Sequence, residues 1–292
     1  MAQAEEEEKL TGWFNSTELS AVVTEGNSKS QTIGFKNLLQ RRWSSSGLRL
    51  RAEATKAESS DVSFGAVDPG TVVPGTPIDE QDFGFILVEP GLEPDVDLAL
   101  LEGRYDRNIT ERFFWHVGAG GDHNDDAGII ARYQVFAGVG NTWFNREGLE
   151  LSTAYGLSYN HVKEETPDPG KDPDFAGLRF ESNYLNAFGA ATEYRNNWFV
   201  NTNLSDLGDF RFDMVNSIRV KMTDIMALQL SLQWLYENRP ALENIDLVLF
   251  TDADGNVIFP CGGNCNETKI GKVTTRKKKL DMIFNASLVV SF

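Results

Sequence analysis

The last thirteen residues of the chain, 280–292, alternate between two kinds of side chain. One set is entirely apolar and consists of Leu280, Met282, Phe284, Ala286, Leu288, Val290 and Phe292. The other set is mostly small and polar. Because successive side chains of a β-strand point to opposite faces, this period of two predicts a strand with one apolar and one polar face. Such a strand needs partners with the same period elsewhere in the chain.

Eleven further segments show this period, and with the closing segment they predict about twelve antiparallel strands. Segment 48–55 is typical, because Leu48 and Leu50 alternate with Arg49 and Arg51. Charged residues at every second position argue against a helix and require a polar environment on that face. No segment has the 3.6-residue period of a helix. The other predicted strands are 13–24, 31–43, 98–106, 113–120, 129–137, 149–160, 178–184, 194–200, 210–220 and 226–236.

The connections are short at one end of the predicted strands and long at the other. A few residues suffice in links such as 44–47, whereas 58–97, 164–174 and 239–277 are long. Segment 58–97 holds ten acidic residues and no Lys or Arg, and it fits neither period. Short turns on one side and long loops on the other are typical of outer-membrane barrels with periplasmic termini. The sequence therefore predicts an up-and-down transmembrane β-barrel over residues 12–292, with short periplasmic turns and long extracellular loops.

The composition agrees with a barrel and excludes other classes. Mean hydropathy is −0.32, and no apolar run approaches the roughly 20 residues that a spanning helix needs. The net charge of −16 argues against nucleic-acid binding. Aromatic residues fall at both ends of the apolar faces, as in the girdles of a membrane barrel. They are Trp13, Trp43, Tyr105, Phe113, Trp143, Tyr184 and Phe292 at one end, and Tyr159, Trp198, Phe210, Phe212, Trp234 and Tyr236 at the other.

The polar strand faces predict a lumen that carries charges of both signs. Neighbouring charges can pair, and buried charges persist only when paired or hydrated. Two functions remain open: a water-filled path that selects ions or small solutes, or an interior that Arg–carboxylate pairs fill and rigidify. The predicted lumen-lining residues are Arg49, Arg51, Glu53, Glu102, Arg104, Arg132, Glu150, Arg179, Glu181, Glu193, Arg195, Arg211, Asp213 and Arg219.

The two ends of the chain carry processing and assembly signals. Residues 2–4, Ala-Gln-Ala, have the form of a signal-peptide cleavage site and precede four Glu residues. We interpret residues 1–11 as an acidic disordered tail that remains after cleavage, and the alternative is an ordinary cytosolic N-terminus. At the other end we expect the barrel-assembly machinery to bind a C-terminal signature made of Phe284, Leu288, Val290 and Phe292.

Two further predictions concern the loop that precedes the closing strand. Its basic cluster lies where that strand enters the outer leaflet, and we expect it to contact lipopolysaccharide phosphates, although a merely solvated strand start is the alternative. Cys261 and Cys265 lie close together in a Gly-rich stretch and predict a local disulfide, which suits an oxidising compartment. The basic cluster consists of Arg276, Lys277, Lys278 and Lys279.

Neither a catalytic site nor a metal or cofactor site is expected. Asp252, Asp254 and Asn256 resemble the start of a calcium loop, but the distal Glu is absent and an ordinary turn is favoured. A lipase on the barrel wall would need a Ser near His161, and Ser182 is the outward Ser on the next strand. Pairing across the intervening loop puts His161 opposite about residue 178. Ser182 is then roughly 13 Å away, too far for a Ser–His pair.

Several segments resemble one family: GWFNSTELSAVVTEGNSKSQTIGF, RYQVFAGVGNTWF, FAGLRFESNYL, LQLSLQWLYENRPAL and the closing SLVVSF. The chain resembles the YdiY-like family, whose members are called salt-induced outer-membrane proteins and are often catalogued as a domain of unknown function. The resemblance spans residues 12–292 apart from 58–97 and 240–277. It implies a Gram-negative outer-membrane location and no known enzymatic activity, and it supplies no site residues.

We therefore expect a single monomeric barrel surrounded by outer-membrane lipid and lipopolysaccharide. The first functional hypothesis is a narrow passive channel for ions or small solutes. The alternative is a closed structural or interaction barrel that presents its acidic loops at the cell surface, possessing no transport activity.

Overall fold

The computed structural model describes residues 11–24, 30–59, 64–66, 87–88, 93–125, 127–251, 266–277 and 279–291. Within these ranges no helix is long and apolar enough to cross a membrane. The regular elements are β1 (Gly12–Thr24), β2 (Ser30–Arg42), β3 (Ser46–Ser59), β4 (Phe64–Ala66), β5 (Leu87–Val88), β6 (Glu93–Asn108), β7 (Phe113–Asn124), β8 (Ile129–Arg146), β9 (Leu149–Glu164), β10 (Asp174–Phe188), β11 (Thr192–Asn203), β12 (Phe210–Lys221), β13 (Met226–Glu237), β14 (Leu242–Thr251), β15 (Asn266–Arg276) and β16 (Leu280–Ser291).

Twelve of these strands close into one antiparallel barrel, in the order β1, β16, β13, β12, β11, β10, β9, β8, β7, β6, β3, β2. Successive barrel strands are neighbours throughout, so the topology is up-and-down. The predicted fold of about twelve antiparallel strands is confirmed. The short links lie together at what we call the short-turn end, and the opposite end is the long-loop end. The short links are residues 43–45, 109–112, 147–148, 189–191 and 222–225.

Two of the long connections contain strands where the sequence predicts only loops. β14 and β15 form an antiparallel hairpin between β13 and β16. β4 pairs in parallel with β14 and antiparallel with β5, which gives a small second sheet. β4 and β5 have only three and two residues, too few to show a period. In β14 the apolar run 247–250 does not alternate, which hides the strand from a period-two search.

The barrel is inside out relative to a soluble domain. In β16, Met282 and Phe284 are 66% and 55% exposed, whereas Ile283 and Asn285 are 5% and 3% exposed. The other barrel strands follow the same rule and bury polar side chains inside. An exposed apolar surface that surrounds the wall marks a membrane-contacting belt. Exposed members include Leu19, Ile33, Phe35, Leu50, Leu101, Val135, Leu157, Leu178, Ile218, Leu228 and Leu230.

The barrel closes where the first strand meets the last, and we call this joint the β1–β16 seam. Five residues of β1, 16–20, pair with residues 287–291 of β16. All thirteen residues of β1 pair with β2 on its other edge. The seam is therefore the shorter of the two strand pairings that β1 makes.

Candidate functional site

The inward faces of the barrel strands enclose a cavity of about 940 Å³, which we call the vestibule. It reaches the short-turn end, where Arg42, Asn108 and Asn145 line it. Eight basic and seven acidic residues line it once Arg41, whose side chain faces outward, is set aside. The vestibule is thus nearly neutral, and the excess acid of a chain with net charge −16 lies elsewhere.

The structure brings most of the predicted lumen residues to this cavity. Glu193 contacts Arg195 at 3.0 Å and Arg219 at 3.5 Å at the short-turn end. Arg132 and Arg211 lie deeper, towards the long-loop end, around a separate pocket. The predicted residues that line the vestibule are Arg49, Arg51, Glu53, Glu102, Arg104, Glu150, Arg179, Glu181, Arg195, Asp213 and Arg219.

Paired charges from β6 and β10 cross the inner end of the vestibule, and we call these four residues the central layer. Arg179 of β10 donates from Nη2 to Glu102 of β6 at 3.0 Å. Arg104 of β6 reaches back to Glu181 of β10 through Nη1. Three strands separate β6 from β10 in the ring, so these bonds span the lumen rather than follow its wall. Arg104 and Arg179 are only 4% and 5% exposed.

Arg179 is held by every part of its guanidinium group. Its Nε donates to Glu181, and its Nη1 donates to Gln134 Oε1 at 2.8 Å. The guanidinium carbon also lies 4.1 Å from the ring centroid of Phe136 and 4.8 Å from that of Phe199. Charge-assisted bonds and ring contacts together offset the cost of burying a cation. The central layer is thereby a fully satisfied polar network.

Glycine residues in the wall make room for the rings beneath this layer. A Cβ atom at Gly118 would lie 2.4 Å from Phe136 Cζ, and one at Gly140 would lie 2.3 Å from Phe114 Cζ. Both rings therefore pack closely against glycine backbone. His116 packs between them and is 2% exposed. The glycines let aromatic rings fill the space between the wall and the arginines.

A second set of charges, the outer layer, lies between the central layer and the long-loop end. Arg132 of β8 pairs with Glu237 of β13, across four intervening strands of a twelve-strand ring, which is close to a diameter. Asp122 contacts Arg132 at 3.5 Å and Arg211 at 3.4 Å. The pocket beside them measures about 30 Å³, which by volume holds about two waters. The lumen is closed at this level.

The long-loop end is capped by an apolar cluster of Ala127, Ile129, Val162 and Ala241, against which Phe175 packs. Ile129 and Ala241 are completely buried. The apolar cluster contrasts with the rest of the barrel interior, which is lined mostly by polar side chains. Where these apolar side chains pack against one another, they offer water no polar partner.

Loop 165–173 ties the cap to its neighbours. Lys171 Nζ contacts Glu164 at 2.8 Å and donates to the Arg239 carbonyl oxygen at 3.1 Å. Arg276 donates to Asp168 at 2.8 Å, with Arg239 also close to that carboxylate. Burial opposes the charged form of Asp168, but the Gly170 N–H and the Arg276 and Arg239 guanidiniums outweigh it and lower the pKa of Asp168. Ion pairs and charged hydrogen bonds therefore hold loop 165–173 against the neighbouring residues of the long-loop end.

The predicted lipopolysaccharide-contacting residues lie at this long-loop end, and each described one touches the protein itself. Arg276 binds Asp168, Lys277 donates to the Asp125 carbonyl oxygen at 3.0 Å, and Lys279 donates to Asn238 at 3.3 Å. Of the assembly signature, Phe284, Leu288 and Val290 lie on the outward face of β16. Predictions that lie outside the described residues concern Lys278, Cys261, Cys265, Phe292, residues 1–10 and the turn 252–256.

The wall near His161 differs from the sequence expectation in its register. His161 pairs with Asp174 rather than with a residue near 178, so Ser182 lies eight residues along β10, about 26 Å away. His161 Nδ1 and Asp174 Oδ1 are 2.9 Å apart, and the Tyr159 hydroxyl donates to the same oxygen at 3.1 Å. β9 and β10 extend further towards the long-loop end than the alternation indicates, which shifts the pairing.

Sequence reasoning missed several residues that complete the two layers. Glu237 continues the inward set of Gln229 and Gln233 beyond the point where the predicted strand ends. Asp122 in the same way follows the inward glycine Gly120 at the end of β7. Extending the period by one step at the long-loop end finds both carboxylates. Their partners across the lumen are not visible in any local pattern.

Comparison with known proteins gives a family and several distant structural likenesses. A family model described as "Protein of unknown function, DUF481" matches residues 17–251. No curated protein matches the chain. Among solved structures, the chain is similar to the translocator domain of the autotransporter NalP from Neisseria meningitidis, with 8% identity, coverage of 100% of this chain and 94% of that one, and a TM-score of 0.38. It is also similar to an anion-selective porin from Comamonas acidovorans, with 9% identity, coverage of 97% and 99%, and a TM-score of 0.36.

Proposed function

The chain belongs to the DUF481 family of proteins of unknown function, and from this premise and the lumen geometry we propose that it is a bacterial outer-membrane barrel with a narrow passive pathway for ions or small solutes. YdiY-like is a name of the same family, so the resemblance seen in the sequence is confirmed. The proposal places the short-turn end in the periplasm and the long loops outside the cell. It includes a Gram-negative source and a monomeric barrel.

The vestibule is the observation that carries this proposal. A cavity of about 940 Å³ whose walls bear charges of both signs holds water and hydrated ions at low cost. A barrel that serves only as a rigid support has no need of such a cavity on its axis. The near balance of basic and acidic residues favours weak rather than strong charge selection.

The central and outer layers set the conductance of the proposed pathway. Both consist of side chains that cross the lumen, and passage requires these side chains to swing aside. Ion pairs that are buried and fully satisfied break rarely, so the open state has a small share of the population. We therefore expect brief, small openings rather than the steady current of a wide porin.

Planar-bilayer recording tests the proposal on the purified full chain. The double variant Arg132→Ala/Glu237→Ala removes the bond that lies across the outer layer and should raise unitary conductance or open time severalfold. The matched control is Arg195→Ala/Glu193→Ala, because that pair lies along one strand of the vestibule wall at 3.0 Å and crosses nothing. The control should conduct like the unaltered protein.

Absence of unitary current in both the unaltered chain and the crossing variant, at several salt concentrations, would contradict the pathway. That result would favour the second candidate, a closed interaction barrel that presents its loops. The long-loop cap favours this candidate, since Ile129 and Ala241 are completely buried and loop 165–173 is tied down over them. A steady large current in the unaltered chain would contradict both.

The proposal assigns no catalysis to the chain. His161 has a carboxylate partner in Asp174 but faces the membrane belt about 26 Å from the outward Ser182. Lipid hydrolysis by the purified protein that His161→Ala abolishes would overturn this assignment.

A further inference from the structure

Aromatic rings form a continuous outward-facing surface at the short-turn end, which we call the aromatic platform. The ring centroids of Trp43 and Tyr105 are 6.5 Å apart, and those of Tyr105 and Trp115 are 5.6 Å apart. The guanidinium carbon of Arg41 lies 5.6 Å from the centroids of both Trp13 and Trp43. Trp13 and Trp43 are 59% and 43% exposed, so the platform faces the surroundings of the barrel.

Arg107 is a second arginine on the same outward face. Its register partner is Trp115, and the partner of Arg41 is Trp13, so both arginines share the face of the rings. Only β3 separates β2 from β6, which puts the two arginines about 10 Å apart across the strands. Within the described part of the chain, neither arginine has an ion pair or a hydrogen-bonded side-chain partner.

This lack of partners sets them apart from the arginines of the lumen. Arg49, Arg104 and Arg179 each contact at least one carboxylate. Acidic residues outnumber basic ones by 43 to 27 in the chain, so carboxylates are plentiful. Two guanidiniums that have no ion pair or hydrogen-bonded side-chain partner among the described residues can donate to an anion from outside the protein.

We propose that Arg41, Arg107 and the aromatic platform bind the phosphodiester headgroup of an anionic phospholipid in the leaflet at the short-turn end. The planar guanidinium fork matches phosphate oxygens, and stacking on two rings holds the Arg41 fork in place. Trp and Tyr rings settle at the headgroup level of a membrane. This inference rests on the proposed membrane location, but not on conduction.

The wall above the platform fits the acyl chains of the same lipid. Leu50, Leu101 and Val117 follow towards the middle of the barrel on β3, β6 and β7, and they are 40%, 65% and 44% exposed. A bound molecule that joins a phosphate to hydrocarbon chains would satisfy both the arginines and these side chains. A free phosphate ion would bind only the arginines. An acidic protein would pair with the arginines but would not supply the hydrocarbon chains that cover the leucines.

Lipid selectivity of the full chain in vesicles tests the inference. Spin-labelled phosphatidylglycerol and phosphatidylcholine are compared for the motionally restricted signal that contact with the barrel produces. We expect the barrel to restrict phosphatidylglycerol in preference to phosphatidylcholine. Each arginine should raise this preference roughly fivefold. Arg41→Gln/Arg107→Gln should remove that preference. Arg146→Gln is the matched control, because Arg146 is an arginine at the same end that stacks on Phe144, a residue of the vestibule lining, at 5.6 Å.

Four outcomes would overturn the inference, each in a distinguishable way. Equal restriction of both lipids by an inserted barrel would remove the lipid site but leave the proposed function standing. Loss of the preference in Arg146→Gln as large as in the double variant would assign it to overall charge. Displacement of labelled lipid by millimolar glycerol phosphate would identify a free-phosphate site. Failure of the unaltered chain to insert into any vesicle would overturn the membrane location itself.

Discussion

The two halves of the lumen use the same residue types to opposite effect. In the vestibule, Arg51 pairs with Glu53 and Arg195 with Glu193 along single strands, and the arginine side chains stay 32% and 36% exposed. In the central and outer layers, pairs such as Arg179–Glu102 and Arg132–Glu237 also cross the barrel, and the side chains of Arg179 and Arg132 are 5% and 9% exposed. Where all the pairs follow the wall an aqueous space remains, and where some cross the lumen they obstruct it.

The packing between the barrel wall and the charged side chains decides between the two arrangements. In the half that contains the central and outer layers, which we call the closed half, glycines let Phe114 and Phe136 pack close to the backbone, and Arg104 and Arg179 lie 5.9 Å and 4.1 Å from these rings on the lumen side. In the vestibule, by contrast, a Cβ at Gly47 would meet its nearest atom, a backbone oxygen, at 3.6 Å, so no ring packs against that glycine. The comparison teaches that the openness of a barrel of this size depends on its small inward residues as well as on its strand number.

The largest effect should come from removing a carboxylate of the closed half. Glu181→Ala leaves Arg104 and Arg179 short of a buried partner, and breaking such a pair costs about 3–5 kcal/mol. Glu193→Ala, which also removes a carboxylate shared by two arginines, should cost about 1 kcal/mol or less, because water reaches the vestibule. Urea unfolding of the refolded barrel in detergent or vesicles measures both.

If Glu181→Ala and Glu193→Ala lowered the free energy of unfolding equally, the proposed difference between the two halves of the lumen would be wrong. Glu181→Gln sharpens the comparison, because the amide keeps the size of the side chain and loses only the charge. Its cost should fall between those of the two alanine variants.

A smaller effect is expected from filling one glycine of the closed half. A Cβ at Gly138 would lie 2.2 Å from the Tyr155 carbonyl oxygen and 2.7 Å from Gly156 Cα, and neither backbone atom can move freely. Gly138→Ala should therefore destabilise the barrel by about 1–3 kcal/mol. Gly47→Ala in the vestibule meets its nearest atom at 3.6 Å and should be neutral or slightly stabilising. The same unfolding measurement compares them.

The smallest effect is expected from lowering the pH, and it concerns loop 165–173 at the long-loop end. The pKa of Asp168 lies below its ordinary value because hydrogen bonds from the Gly170 N–H and Arg276 outweigh burial. A lowered folded-state pKa contributes stability that is present above the unfolded value of about 3.9 and is lost as pH falls through the folded value. We expect the protection of the loop 165–173 amides, measured against the intrinsic exchange rate at each pH, to fall below about pH 4, at a cost under about 1 kcal/mol.

The turn 222–225 provides the control for this acid effect. The pKa of Asp224 is also lowered, by its hydrogen bond from Lys221, but that pair ties no loop to another. Protection of the amides in this turn, measured in the same way, should change little over the same pH range. At pH 7, Asp168→Asn should loosen loop 165–173 without acid, and a tight loop in that variant would count against the fastening role of Asp168.

The period of two is sufficient to predict the barrel, because every strand must show one face to lipid and one to the lumen. It also assigns residues such as Arg179 and Glu181 to the inward set. It contains no information on which inward residues meet across the axis, since Arg132 and Glu237 lie more than one hundred residues apart. Short strands such as β4, which pair only through tertiary contacts, are equally invisible to it.

The β1–β16 seam has a consequence for biogenesis. It joins the first barrel strand in the sequence to the last one, so one edge of β1 has no partner until β16 is in place. With five pairs against thirteen on the other edge of β1, it is also the joint that costs the least to part. The seam is thus where a barrel under construction stays open longest, and where a finished one would unzip first under lateral tension.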